Sequence, residues 1–519
     1  MEMICMASLV YYKNKMNGTT YVYENVSTWN KETQQCDTKR KCVGKLDPES
    51  GKVVPTGKRG KGKGQTAYAN VRCEGSRLLL DKLADDLCLP RILRGAFTEE
   101  WKKVLTCAYF LIGEGKALSH VETWSAQYSH PYGEVLSSQR VSELLQTLTR
   151  EKQLAFFMDW AQTRAESEYV AMDITSISSY GKQNEYIRYG YNRDGEPLPQ
   201  INLCLLLGQE SGIPIYYESL NGSIKDVSSL ENVFKVMSWL NAKRLHAVMD
   251  RGFYSERNIN NLYDKHIRFT VGVPFTTKWT QELVSRVRNS IESFACYKRL
   301  GNYTFFSHTD TTAWKGRRCY RHVYYDSQKA AAEYADFLEK IELWRAELQE
   351  NRLVEANHQH YNRYFDVKET PKRGRRVMVR DEEVQAFKRN TAGFFVLISN
   401  DIKDPVKALK IYRDKDAVEK GFDNLKNALD MNRLRIHSAK AMQGRLFIQF
   451  VAQILMAEIR NVMAASKLDE KYTLPELVNE LKSIHSVRLD GRRKPIFTKL
   501  SKSQNNILSA FGICENSYV

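Results

Sequence analysis

No Cys-x2-Cys pair occurs in this 519-residue chain, and none of its ten cysteines has a histidine companion at zinc-finger spacing. A structural zinc is therefore not expected. The cysteines, at 5, 36, 42, 73, 88, 107, 204, 296, 319 and 514, are dispersed, and no charged-then-apolar export segment opens the sequence. Free thiols in a reducing cytoplasm, most of them small core hydrophobes, are the expectation. Long apolar runs are missing too. The longest, around residues 446–459, is interrupted by Gln449, Gln453 and Glu458, short of the roughly 20 residues of a membrane span. No membrane partner is expected, and no internal repeat is visible. Acid is in deficit: 61 Asp and Glu face 78 Lys and Arg, leaving a formal charge of +17. A surplus of that size suits a polyanion, nucleic acid first, although charge also keeps a protein in solution.

What is present is a globular composition, 42% hydrophobic and 27% charged, in a chain long enough for about three domains. Residues 1–75 alternate in the manner of strands, as at 8–12 and 20–23, and form a β-rich module ending in a basic glycine loop at 57–64. That loop reads equally as a DNA backbone contact or a solvated linker. Residues 76–166 turn to helical spacing and read as a helical DNA-binding domain. Within it, Ser138 stands as a cap with Val141 three residues on, a weak helix-turn-helix signal.

The texture changes again near residue 168. Residues 169–174, 201–207 and 213–217 read as three neighbouring strands, 226–240 as a helix, 245–250 as a fourth strand and 267–273 as a fifth. The order is β-β-β-α-β, an α/β domain whose first part spans 167–276. Residues 277–392 mix strand and helix and read as an insertion; 393–399 re-enters the sheet, opening a second part at 393–465. The remainder, 466–519, reads as helical.

Two carboxylates stand out by position: Asp173 inside an apolar strand and Asp250 at the end of one. A carboxylate in such surroundings must be paired, hydrogen-bonded or bound to metal, and for either alone a salt bridge or turn cap is the commoner explanation. A third element adds to them. Tyr412, Lys415, Glu419 and Lys426 fall at the spacing Tyr-x2-Lys-x3-Glu-x6-Lys, on what reads as one helix from 415 to 429 with Val418, Phe422, Leu425 and Leu429 as its apolar stripe. Four and seven residues are one and two turns, which would put Lys415, Glu419 and Lys426 on one face. Asp416 and Asp423 are rivals to Glu419 on the same helix.

That pattern resembles the Tyr-x2-Arg-x3-Glu-x6-Lys signature of a group of bacterial insertion-sequence DDE transposases, with Lys415 in place of the arginine. Asp173-Ile174-Thr175-Ser176, Asp250-Arg251-Gly252-Phe253, Gly212-Ile213-Pro214 and the stretch Asn221, Gly222, Asp226 are similar to the group's other motifs. The likeness covers roughly residues 165–460. It implies a ribonuclease-H-like mixed sheet flanked by helices, with an insertion before the catalytic glutamate. It also implies Asp173, Asp250 and Glu419 as catalytic and metal-binding residues, holding two Mg²⁺ for which Mn²⁺ would substitute. Tyr412, Lys415, Lys426 and Arg251 would contact double-stranded DNA at transposon ends, and the active form would be a homodimer on DNA, cytoplasmic and nucleoid-associated. The implied activity is cut-and-paste transposition. The alternatives are a nuclease without strand transfer and a non-catalytic DNA-binding derivative. Lysine at 415 keeps the charge but not the planar bidentate grip on phosphate. Trp279 or Trp314, from the insertion, are candidates to stack on an unpaired base, with core packing the commoner role for each.

Overall fold

The computed structural model describes residues 6–15, 18–30, 35–48, 50–56, 69–164, 169–181, 184–192, 195–223, 230–239, 246–370, 374–423, 426–427, 429, 433–434, 436, 438–489 and 494–514. The basic loop at 57–64, Asp226 and Leu425 lie outside them. By internal contacts the chain divides into two units, residues 1–70 with 488–493, and the remainder.

The first unit is a four-stranded antiparallel sheet, β1 (Met6–Lys13), β2 (Thr20–Asn30), β3 (Gln35–Leu46) and β4 (Val53–Val54), paired in that order. Its alternation is that of strands, as the sequence suggests, but among the described residues Val22 is the only buried hydrophobic residue of this unit.

Strand β5 (Ala69–Cys73) runs across the boundary, and the second unit continues with the helices α1 (Gly75–Asp86), α2 (Leu89–Ala96), α3 (Trp101–Glu114), α4 (Val121–Gln127), α5 (Ser138–Thr147) and α6 (Arg150–Arg164). The cap of α5 is Ser137, one residue earlier than the sequence suggests, its hydroxyl accepting the Arg140 amide at 3.3 Å. These helices share a core with the later segments of the same unit. Phe156 and Phe157 on α6 meet Phe447 and Phe450 at 5.1–6.4 Å, and the Trp160 indole donates to the Pro214 carbonyl at 2.8 Å.

Next come β6 (Val170–Ser179), β7 (Gln200–Gly208), β8 (Pro214–Asn221), α7 (Leu230–Trp239), β9 (His246–Met249), α8 (Glu256–Asp264) and β10 (Arg268–Val273), in the β-β-β-α-β order read from the sequence. After these the chain forms α9 (Lys278–Val287), β11 (Tyr297–Leu300), β12 (Tyr303–Trp314), β13 (Arg317–Tyr325), α10 (Ser327–Gln349), α11 (His358–Tyr364), β14 (Phe365–Thr370), β15 (Gly374–Val379), α12 (Asp381–Asn390) and β16 (Phe394–Ser399). Last are α13 (Pro405–Arg413), α14 (Asp416–Asp423), β17 (Arg433–Leu434), α15 (Ala439–Ala465), α16 (Leu474–Leu481), β18 (His485–Leu489), β19 (Ile496–Phe497) and α17 (Lys502–Ala510).

One mixed sheet dominates, in the order β11-β12-β13-β16-β10-β9-β6-β7-β8, with β17 beside β6. Strands β6, β7 and β8 form an antiparallel meander, whereas β9 runs parallel to both β6 and β10. Two expectations change here. The stretch 277–392 is not wholly an insertion, because β13 pairs with β16 and carries β12 and β11 into the main sheet; only the part from α10 to α12 builds a separate small core, around Phe337, Trp344, Tyr361 and Tyr364. The C-terminal stretch is not all helical, since β18 pairs with β19.

Helix α15 is apolar on all sides because it runs through the core. By length and composition it is apolar enough to cross a membrane, contrary to the reading of its sequence, yet 78% of its apolar window is buried inside the protein. The two glutamines that interrupt it bond backbone: Gln449 donates to the Leu429 carbonyl at 2.7 Å and Gln453 to that of Gly421 at 2.9 Å. These two buried donations tie the α14 region to the core. Of the described cysteines, Cys73, Cys107, Cys204 and Cys319 are buried, whereas Cys36, Cys42, Cys88 and Cys514 are exposed, so fewer serve as core residues than expected.

Candidate active site

Parallel pairing of β6 with β9 sets Met172 beside Met249. Asp173 follows on β6 and Asp250 lies one residue beyond the end of β9, so the register carries the two carboxylates to adjacent positions, and both act on Tyr412. The β9–β10 register, Met249 beside Val271, extends the row to Gly272. The strand bearing Asp173, read from the sequence as ending at 174, continues to Ser179. Each carboxylate is steadied by backbone: Asp173 accepts the Ile174 amide at 2.8 Å, and Asp250 the Arg251 amide at 2.8 Å, capping the short 3-10 turn Arg251–Phe253.

Asp250 has a further partner, the Tyr412 hydroxyl, which donates to Oδ1 at 2.6 Å. Half-burial opposes ionisation of Asp250. The Tyr412 and Arg251 hydrogen bonds and the charges of Lys415 and Arg251 outweigh it, holding the carboxyl below its ordinary range. Tyr412 is pushed far above the usual phenol value, first by burial and then by Asp250, with Asp173 contributing. It therefore keeps its proton and serves as a fixed donor to Asp250.

Gly272 makes this bond possible. A Cβ at that position would lie 2.7 Å from the Tyr412 hydroxyl and 3.0 Å from the Arg251 amide nitrogen. A glycine inside a strand pattern is a sign of close backbone approach; the sequence reading passed over it.

The single helix expected to carry Tyr412, Lys415, Glu419 and Lys426 is broken. Tyr412 lies on α13, Lys415 in the turn after it, Glu419 on α14, and Lys426 beyond its end. Asp414 ends one helix, and the carboxylates of Asp416 and Glu419 in the first turn of the next favour a fresh start. The break leaves Lys415 outside the helix that carries Glu419. Lys415 faces the Tyr412 ring at 5.6 Å and acts on Asp250, while Lys426 acts on Glu196. Arg251 is exposed beside Asp250.

Glu419 is exposed on α14, whose Val418 and Phe422 are buried. Gly421 on the same helix sits against Leu207 of β7, which shares a face with Asp173 through the β6–β7 register. The helix of Glu419 therefore covers the side of the sheet on which Asp173 lies. Asp416 is exposed on that helix as well.

A family model described as a transposase DDE domain matches residues 164–455, more than half the chain and the whole of this row of residues. The chain is a DDE transposase. No curated protein matches it in sequence. Among solved structures it is similar to a cryo-EM structure of a piggyBac transposase synaptic complex with hairpin DNA, at 10% identity and a TM-score of 0.35, over 79% of this chain and 77% of that one. At that level of likeness nothing is carried over from it.

The transposase family's chemistry calls for divalent cations. Two adjacent carboxylates, one of them held ionised while half-buried, are the oxygen donors that a hard cation such as Mg²⁺ takes. Among the described residues no three of His, Cys, Asp and Glu lie close enough together to hold an ion. The register brings Asp173 and Asp250 to adjacent positions, while Glu419 joins no such group among the described residues.

A cavity of about 860 Å³ opens beside the transposase's Asp250, Arg251 and Tyr412 and reaches Trp344 and His360 on the far side. Neither tryptophan singled out from the sequence lines it. Trp314 is buried, its indole donating to Asn260 at 2.9 Å; Trp279 donates to the Tyr254 hydroxyl at 2.8 Å and is covered by the Arg321 guanidinium at 4.4 Å. Both have packing roles.

Proposed function

We propose that this transposase cuts and pastes DNA: it binds terminal inverted repeats, cleaves at the transposon ends and joins the freed 3′-hydroxyls to target DNA. The observation that carries the reading is the side-by-side placement of Asp173 and Asp250 within the matched domain. The strand order β8-β7-β6-β9-β10, with β9 and β10 parallel to β6, supports a ribonuclease-H-like catalytic domain. Asp173, Asp250 and Glu419 are the residues to hold two Mg²⁺. Such ions neutralise charge on the phosphate and make water or a 3′-hydroxyl a better nucleophile.

The chain's own residues do the rest. Tyr412 orients Asp250 and keeps it ionised, Lys415 and Arg251 present positive charge to the DNA backbone next to it, and Lys426 extends that contact along the strand. Two DNA ends are held by a homodimer. Purified protein with Mg²⁺ and end-containing DNA tests the reading. Joined products are expected from the native chain, and Asp173→Asn, Asp250→Asn and Glu419→Gln are expected to lose cleavage while retaining end binding. Asp416→Asn is expected to cleave. A folded Asp250→Asn chain that cleaves normally refutes the assignment.

A further inference from the structure

The N-terminal sheet has a face whose make-up its own fold does not explain. Register puts Tyr12 opposite Tyr21, Val10 opposite Tyr23, Asn25 opposite Arg40 and Tyr21 opposite Lys45. Tyr21, Tyr23 and Trp29 alternate along β2 on this side, where Arg40 lies over the Tyr23 ring at 5.7 Å and bonds Asn25 at 3.1 Å. Tyr12 is 59% exposed and Trp29 50%. The opposite face carries Glu24 facing Lys41. Within β1, β2 and β3 this face carries Arg40 and Lys45 and, among the described residues, no carboxylate; Asp47, just past β3, accepts the Ser50 hydroxyl in the β3–β4 turn.

We propose that this face of β1, β2 and β3 is a stacking platform for an unpaired DNA strand. Large exposed rings on a sheet with scarcely any core mark a surface that a partner covers. Cations beside aromatic rings fit a polyanion with flat apolar faces, which describes single-stranded nucleic acid. A duplex hides its base faces within the stack, so its phosphates would engage Arg40 and Lys45 but not the rings. The proposal takes only the identity of the nucleic acid, DNA, from the transposase reading.

Fluorescence anisotropy with the full chain tests it, using a labelled oligo-dT and a duplex of equal length across a salt series. Trp29→Ala and Tyr12→Ala are each expected to weaken oligo-dT binding by about 5- to 100-fold, and Trp29→Phe to restore most of it. Arg40→Ala is expected to reduce the slope of log affinity against log salt by about 0.7. Tyr11→Ala, on the opposite face, is expected to bind as the native chain does. Unchanged oligo-dT affinity in Trp29→Ala, or an equal loss from Tyr11→Ala, overturns the platform; an equal loss for duplex and oligo-dT overturns its preference for an unpaired strand. Repeating the series in an Asp250→Asn background separates the two readings, because platform binding does not depend on that carboxylate.

Discussion

Gly272→Ala is the most searching perturbation of the candidate site, because it adds one methyl group and touches no proposed catalytic atom. The added carbon would lie 2.7 Å from the Tyr412 hydroxyl, whereas ordinary contact begins at 3.4 Å. The hydroxyl must then retreat by roughly 0.7 Å, or the strand must shift, and the Arg251 amide at 3.0 Å leaves the strand little room. Retreat lengthens the 2.6 Å bond to Asp250 beyond useful range. A hydrogen bond to a charged group contributes about 1.5–3 kcal/mol, so strand cleavage at saturating DNA should fall about 10- to 100-fold. Tyr412→Phe should cost a similar amount by deleting the same bond. The double variant distinguishes this account from general damage: with the hydroxyl gone, the methyl group has space, and the two losses should fall well short of additive. Cleavage rates of the four proteins, with thermal unfolding alongside, provide the measurement. Fully additive losses, or native cleavage by Gly272→Ala alone, refute the coupling.

Other expectations rest on the same geometry. Tyr412→Phe removes a bond that lowers the Asp250 pKa, so the acid limb of Mn²⁺ binding, followed by calorimetry, should move to higher pH than in the native chain. Gly421→Ala places a carbon 2.7 Å from Leu207; lifting α14 should cost about 1–3 kcal/mol in denaturant unfolding and slow cleavage. His322, fully buried, has its pKa lowered to about 4, chiefly by burial. The native state thus binds fewer protons than the unfolded chain, and stability is intact above about pH 6.5 and falls by about 3 kcal/mol as pH drops towards 4. Unfolding midpoints measured across that window should show the fall, and His322→Gln should reduce the pH dependence there.

Much of this could be read from the residues because each signal was local. Buried strands such as Gln200–Gly208 announce themselves as apolar runs, strand position picked out Asp173 and Asp250, and motif spacing picked out Glu419. What was missed depends on contacts between distant segments. Helical periodicity continues through residues 412–426, but the chain bends between Arg413 and Asp416, and nothing in a 3.6-residue spacing reveals a break of that kind. Gly272 looked like one more strand residue because Tyr412, the side chain that needs the space, comes 140 residues later. The glutamines of α15 suggested an interrupted apolar run, and their use emerges only with their carbonyl partners, Leu429 and Gly421, in place.

The parallel match of β6 to β9 has a consequence for assembly. Side chains alternate between the two sides of a sheet, so sliding one strand by a single residue would send its aspartate to the opposite side from its neighbour. Partial pairing therefore cannot produce a partly competent enzyme. Any chain able to gather cations between these two strands has already fixed their alignment, and cation uptake reports correct folding of the sheet's centre.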